Sequence, residues 1–181
     1  MRHRLAPLAA ALAILAADRV TKVWIERNVS AWDIRSVIPG FLNIIHAENR
    51  GMAFSLLANA PESVRGFSLI GVAGIVLVFV ALMFWRAAAN LERWALALVM
   101  GGAVGNLWDR ILRGSVTDFI DVYYGDWHWA TFNVADSAIT CGALLLGLHL
   151  LLTSSASTNT TTTASGGGSS QPGPVGSEGP L

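Results

Sequence analysis

Charge is scarce in this 181-residue chain. Asp, Glu, Lys and Arg together make up 13% of it, hydrophobic types 53%, and twelve basic residues cancel twelve acidic ones. That balance excludes a nucleic-acid binder with a basic face. A single cysteine, Cys141, lies in an apolar run, so neither a disulfide framework nor a cysteine-based metal site is available. The histidines (His3, His46, His128, His149) are scattered without ligand spacing, which argues against zinc, and no cofactor or metal is expected. Internal repeats are absent as well. What is abundant is apolar sequence: the mean hydropathy of +0.51 is too high for an ordinary soluble domain.

Residues 66–85, "GFSLIGVAGIVLVFVALMFW", carry no charge over a length that crosses roughly 30 Å of hydrocarbon as a helix. Three less uniform stretches, 5–25, 91–113 and 132–152, join it, so the sequence predicts a membrane α-helical fold with four transmembrane helices. The start, "MRHR" then "LAPLAAALAILAA", imitates a cleavable signal peptide. The helical pattern continues through "DRVTKVWIER" without a break, so a retained first helix is expected. Arg2 and Arg4 precede the first span, Arg86 and Arg93 flank the second loop, and 114–132 has no Lys or Arg. By the positive-inside rule both termini are cytoplasmic. Trp24, Trp85, Trp94, Trp108, Trp127 and Trp129 fall near the helix ends, as an interfacial aromatic belt requires.

The outer segments are then about 28–65 and 114–132. The first mixes β-branched and aromatic residues with Pro-Gly and Arg-Gly turns, and predicts a small extracytoplasmic β segment between helices 1 and 2. Residues 1–152 form the expected membrane domain, and 153–181, rich in Ser, Thr, Gly and Pro, the expected disordered cytoplasmic tail.

This topology gathers polar residues that are far apart in sequence. Asp118 follows the third helix, Asp136 opens the fourth, and Asn49 lies in the outer loop. Asp18, at about 1.5 Å per residue from the inner end, lies roughly 20 Å up the first helix. All converge near the outer face. On the third helix Asn106, Asp109 and Arg110 share a stripe with Gly102 and Arg113, while Gly101 and Gly105 form a small-xxx-small pair for close helix approach. A charge in hydrocarbon either pairs or marks a working site. The Asp–Arg pair is explained equally well as structural glue. Asp118 and Asp136 have no matching cations and point to a dyad in which one carboxyl keeps its proton while the other is charged. Such a pair can hydrolyse a peptide bond by general acid–base catalysis, or relay protons in a small transporter. Cys141 and Gly142 read as packing residues, His149 as interfacial, and Glu48 and Asp121 stay open between surface and site roles.

Four blocks, "DRVTK" (18–22), "NRGMAFSLL" (49–57), "GGAVGNLWDRILRGSVTDFID" (101–121) and "FNVADSAIT" (132–140), resemble the bacterial lipoprotein signal peptidases, or signal peptidase II, a family of membrane aspartic peptidases. The likeness spans about residues 5–152. It implies that Asp118 and Asp136 are the catalytic aspartates. It implies that Asn49, Gly51, Asn106, Arg110 and Asn133 line the site, with Asp18, Lys22 and Asp109 as a supporting polar patch. It also implies a bacterial cytoplasmic (inner) membrane location and diacylglyceryl-modified prolipoprotein substrates, cut just before the lipidated cysteine. Membrane lipids as neighbours, a monomer, and inhibition by globomycin-like cyclic peptides complete the expectation. Met52 stands where the family usually has alanine, and Trp108 where an aliphatic residue or tyrosine is usual. A proton-coupled transporter and a non-catalytic prolipoprotein-binding protein remain the alternatives.

Overall fold

The computed structural model describes residues 2–51 and 62–163. Met52 and the rest of 52–61, and the tail from 164 onward, lie outside the described residues. The elements run α1 (Arg2–Asn28), β1 (Arg35–Ile38), β2 (Leu42–Asn49), α2 (Glu62–Arg86), α3 (Asn90–Arg113), β3 (Val116–Tyr124), β4 (Trp127–His128) and α4 (Val134–Thr163). Among the described residues, 2–149 form one compact unit and 150–163 belong to a second.

Among the described residues three helical segments are long and apolar enough to cross a membrane: Gly66–Arg86, Asn90–Arg113 and Val134–Thr153. Along α2 the large side chains Val72, Ile75, Val76, Val78, Phe79 and Leu82 stay exposed, as expected of a surface whose solvent is lipid. The apolar start of α1 is interrupted by Asp18, Arg19 and Lys22; of these, Asp18 and Lys22 are fully buried. Helix α4 runs past Leu152, where the span was expected to end, so 153–163 is helical where a disordered tail was expected. Ser and Thr cost only tenths of a kcal/mol each in a helix, and a helix already nucleated gains a hydrogen bond per added residue.

Helix α3 is the spine. Ala11 of α1, Val80, Phe84 and Ala87 around α2, and Leu96 and Ala97 of α3 form a buried cluster. Glycines permit the approach: a Cβ on Gly101 would sit 2.7 Å from the Ala11 carbonyl oxygen, and one on Gly142 2.6 Å from that of Ala95. In lipid such backbone proximity, rather than the hydrophobic effect, holds helices together. Gly71, on the exposed side of α2, has nothing within 4 Å of its missing Cβ. Gly101→Ala should therefore lower the unfolding temperature in detergent, while Gly71→Ala should leave it unchanged or raise it slightly, since alanine favours a helix over glycine by about 1 kcal/mol. Equal responses at both sites would contradict this packing.

The sheet is antiparallel with order β1-β2-β3-β4. The expected β segment between helices 1 and 2 is present as β1 and β2, but the sheet is not confined to it: β3 and β4 come from 116–128, in the second outer segment, for which no strand was expected. In β3 the first four residues are all buried, so the alternation that marks a half-exposed strand is missing. Ile25, Val29 and Phe119 form a second buried cluster, which fastens the sheet to the end of α1.

Candidate active site

Each site residue is delivered by a local device. Gly114, at φ 75°, caps α3 in the left-handed conformation and donates its N–H to the Arg110 carbonyl at 3.1 Å. That stops the helix four residues before Asp118 and sends the chain into β3. On β2 the register changes between Ile44, opposite Ile120, and Ala47, opposite Asp118. This bulge adds one residue to β2. Without it Asn49 would oppose Ser115 and point away; with it Asn49 opposes Val116 and shares the face of Asp118.

Asn133 precedes α4 and closes a capping box with Asp136. The Asp136 N–H donates to Asn133 Oδ1 at 2.9 Å, and the Asn133 N–H to Asp136 Oδ2 at 3.3 Å. The Asp18 carboxylate supplies a further cap, accepting from the Ala135 N–H at 3.0 Å. An isolated bridge between Ile120 and Phe132 ties this helix start to β3. Asp136 is thus fixed beside Asp118 by backbone as well as by side chains.

The two aspartates meet through asparagines. Asn133 Nδ2 donates to Asp118 Oδ1 at 2.7 Å, and Asn49 Nδ2 to Asp118 Oδ2 at 3.0 Å. The Gly51 N–H holds Asn49 Oδ1 at 2.8 Å, so the amide can turn only its NH2 toward the carboxylate; Gly51 itself has φ 76°, a conformation other residues rarely adopt. Asn106 Nδ2 donates to Asp136 Oδ1 at 2.7 Å, while its oxygen accepts from Lys22 at 2.9 Å and from Asn133 at 3.2 Å. Asp118 is buried and Asp136 only half-buried. Burial pushes the Asp118 carboxyl up to about 6, the Asp136 charge adds to the rise, and the hydrogen bonds from Asn49 and Asn133 oppose it.

Beneath this pair lies the polar patch. The ammonium of Lys22 is ion-paired with Asp18 Oδ2 and Asp109 Oδ2 at 2.8 Å each and donates to Asn106 Oδ1 at 2.9 Å. Arg19 pairs with the other oxygen of Asp109. Gly105 leaves room for Asp18, whose Oδ2 would be 2.6 Å from a Cβ there. Arg110, expected to line the site, bends back to the Asn106 carbonyl at 3.3 Å. Arg113 leaves the stripe altogether and grips Glu26 of α1, which also accepts from Thr117 at 2.9 Å. Glu48 accepts from Ser115 at 3.0 Å. Asp121 is buried on the sheet, held by Asn43 at 3.0 Å and His128 at 2.8 Å.

Sequence reasoning missed Glu26 and the central part played by Lys22. A signal for the latter was present: Lys22 is the chain's sole lysine.

Apolar helices long enough to cross a bilayer, with two aspartates bridged by asparagines at one end, have the architecture of a membrane-embedded aspartic peptidase. The family model described as "Signal peptidase (SPase) II" matches residues 10–152, and the chain belongs to that family. It is 50% identical over 141 residues to the lipoprotein signal peptidase of Solibacter usitatus (strain Ellin6076), covering 76% of this chain and 85% of that protein. To the lipoprotein signal peptidase of Sulfurihydrogenibium sp. (strain YO3AOP1) it is 43% identical, covering 76% and 86%. A solved bacterial membrane enzyme, determined by the in meso method at 2.3 Å resolution, superposes with a TM-score of 0.73 at 32% identity, covering 83% of this chain and 90% of that one.

Proposed function

We propose that this membrane aspartic peptidase removes the signal peptide from diacylglyceryl-modified prolipoproteins, cutting before the lipidated cysteine, with Asp118 and Asp136 as its catalytic pair. The observation that carries the assignment is the asparagine bridge, which points a buried and a half-buried carboxyl at one place. The chemistry needs one of the two carboxyls protonated while the other is ionised. Burial raises Asp118, which favours its protonated form. The ionised partner takes a proton from water as its oxygen attacks the scissile carbonyl carbon, and the protonated one donates to the carbonyl oxygen. Collapse of the tetrahedral intermediate breaks the C–N bond, and the leaving cysteine nitrogen takes a proton from the pair. Asn49, Asn106 and Asn133 hold the carboxyls, Gly51 orients Asn49, and Arg110 lies beside Asn106. Asp18, Lys22 and Asp109 support the patch.

The reading includes four spans, with α1 as the first. Its charges are paired inside the bundle rather than presented to lipid, which supports a crossing despite them. Both termini are cytoplasmic, the sheet and the aspartates lie at the outer face of the bacterial inner membrane, and residues 1–152 make up the peptidase domain. The enzyme acts as a monomer among membrane lipids and is a target of globomycin-like cyclic peptides. The proton-relay alternative calls for ionisable groups spread through the membrane depth, whereas the uncharged interior of α2 offers none.

The test is cleavage of one prolipoprotein with and without its diacylglyceryl group by purified enzyme. The modified precursor should be cut at least tenfold faster in kcat/KM. Equal rates would contradict lipid-guided entry, and no cleavage of either would overturn the assignment.

A further inference from the structure

We propose that the outer end of α1 carries a binding site for one anionic bilayer phospholipid, separate from the aspartate pair. The site rests on the reading that α1 crosses the bilayer with Asn28 outside. Between α1 and the sheet lies a slot of about 310 Å³ lined by Val20, Thr21, Trp24, Ile25, Ile44 and Phe119. The Thr21 hydroxyl turns back to the carbonyl oxygens of Ala17, at 2.7 Å, and Asp18, at 3.0 Å, so its methyl group faces away from them. The slot is therefore suited to an acyl chain. Val20 and Trp24, which wall it, are also exposed to lipid on the outside of the helix.

The same two residues continue into a shallow groove of about 380 Å³ that reaches Arg19, Arg27 and Asn28. The guanidinium of Arg35 stands 5.9 Å over the Trp24 ring. Arg27 and Arg35 thus stand at the mouth of an apolar slot near the outer end of α1, with Arg19 about 12 Å deeper along the helix. Arg19 is engaged by Asp109, and Arg35 donates to the Asn28 carbonyl. Arg27 is exposed and makes no hydrogen bond or ion pair among the described residues. Of the nearby acids, Glu26 is paired with Arg113, while Asp33 accepts from the Ser30 N–H at 3.1 Å and offsets one of the two charges of Arg27 and Arg35. The mouth is left with excess positive charge, which selects a headgroup of net negative charge over a zwitterionic one. Phe119, on the slot wall, is the neighbour of Asp118, so a lipid seated here also supports the strand that carries that aspartate.

Native mass spectrometry of the full chain released from phosphatidylglycerol or phosphatidylcholine nanodiscs reads the retained lipid. Wild type should retain phosphatidylglycerol preferentially. Arg27→Gln should lower that retention about fivefold, the effect of one arginine near a membrane surface. Val20→Trp fills the slot while keeping every charge, and should lower it comparably. Arg86→Gln removes an equal charge from the far end of α2 and should change nothing. Wild-type retention in both slot and mouth variants, or no preference between the two lipids, overturns the site. Topology is checked separately with Arg27→Cys in a Cys141→Ser background. Labelling by an impermeant maleimide from outside, with retention unaffected by the variants, defeats the lipid site alone. Labelling only from the cytoplasmic side defeats the topology on which the site rests.

Discussion

Asp118→Asn and Asp136→Asn should each yield a folded protein that cleaves lipidated precursor about a thousandfold more slowly than wild type, or not at all. The argument is one of proton inventory. Hydrolysis needs a group that accepts a proton from water and one that donates to the carbonyl, and an amide can do neither at neutral pH. The loss of either carboxyl is therefore as severe as the loss of both, and the double variant should be no slower than the singles. Folding is less affected. In Asp118→Asn the new amide keeps one acceptor for Asn49 or Asn133, and in Asp136→Asn it keeps one for Asn106 or the capping N–H. Each replacement sets one donor against another, at a cost of about 1–3 kcal/mol. Normal turnover by either variant would remove that residue from the mechanism.

The same inventory fixes a pH dependence. With Asp118 raised to about 6 in the free enzyme, its proton is present below that value and lost above it. kcat/KM, which reports free-enzyme ionisations, should therefore fall as pH rises through 6. Asn49→Ala removes a hydrogen bond that favours the charged form of Asp118, so its descending limb should move to higher pH. A limb that stayed in place would show that another group controls it.

How far the sequence could be read depends on the range over which each feature is encoded. The uncharged run in α2 is self-contained, and its helix was legible at once. The convergence of Asp118, Asp136 and Asn49 followed from counting spans, which puts the two aspartates beside helix ends and Asn49 in an outer loop, whereas Asn133 came only from the family resemblance. Strand β3 was not legible. Its partner β2 lies about seventy residues earlier in the chain, and its first residues are buried on both faces, so no alternation betrays it. The bulge that turns Asn49 toward Asp118 has no local signature at all. Arg113 and Arg110 show the limit of helical spacing. The stripe placed both beside Asn106, yet Arg113 lies past the packed part of α3 and reaches Glu26 on α1, while Arg110 folds back on its own helix. Spacing gives the face of a helix but not which neighbour a long side chain prefers.

Lys22→Met should be the most destabilising single substitution among these polar residues, lowering stability by about 3–5 kcal/mol. Lys22 is fully buried, and its ammonium forms ion pairs with Asp18 and Asp109 and donates a hydrogen bond to Asn106. Methionine matches its length but leaves two carboxylates facing each other with Arg19 as their remaining counterion. The consequence extends to the aspartate pair. The Asn106 amide is oriented by Lys22, which takes its oxygen and so turns the NH2 toward Asp136. Without that contact the amide is oriented by the longer Asn133 hydrogen bond alone, at 3.2 Å, and holds its NH2 on Asp136 less firmly. Activity should therefore fall even where folded protein is recovered, mainly in kcat. A merely structural lysine would lower the yield of active enzyme and leave kcat per folded molecule unchanged. Asp18→Asn supplies the complementary arm: it removes one of the stranded carboxylates yet keeps an oxygen for the Ala135 N–H. Combined with Lys22→Met it should restore part of the lost stability, so that the two changes cost less together than their separate costs summed. Denaturant unfolding in detergent, followed beside cleavage, measures both effects. Strict additivity in stability would mean that Lys22 and Asp18 are not the coupled pair that their 2.8 Å contact indicates.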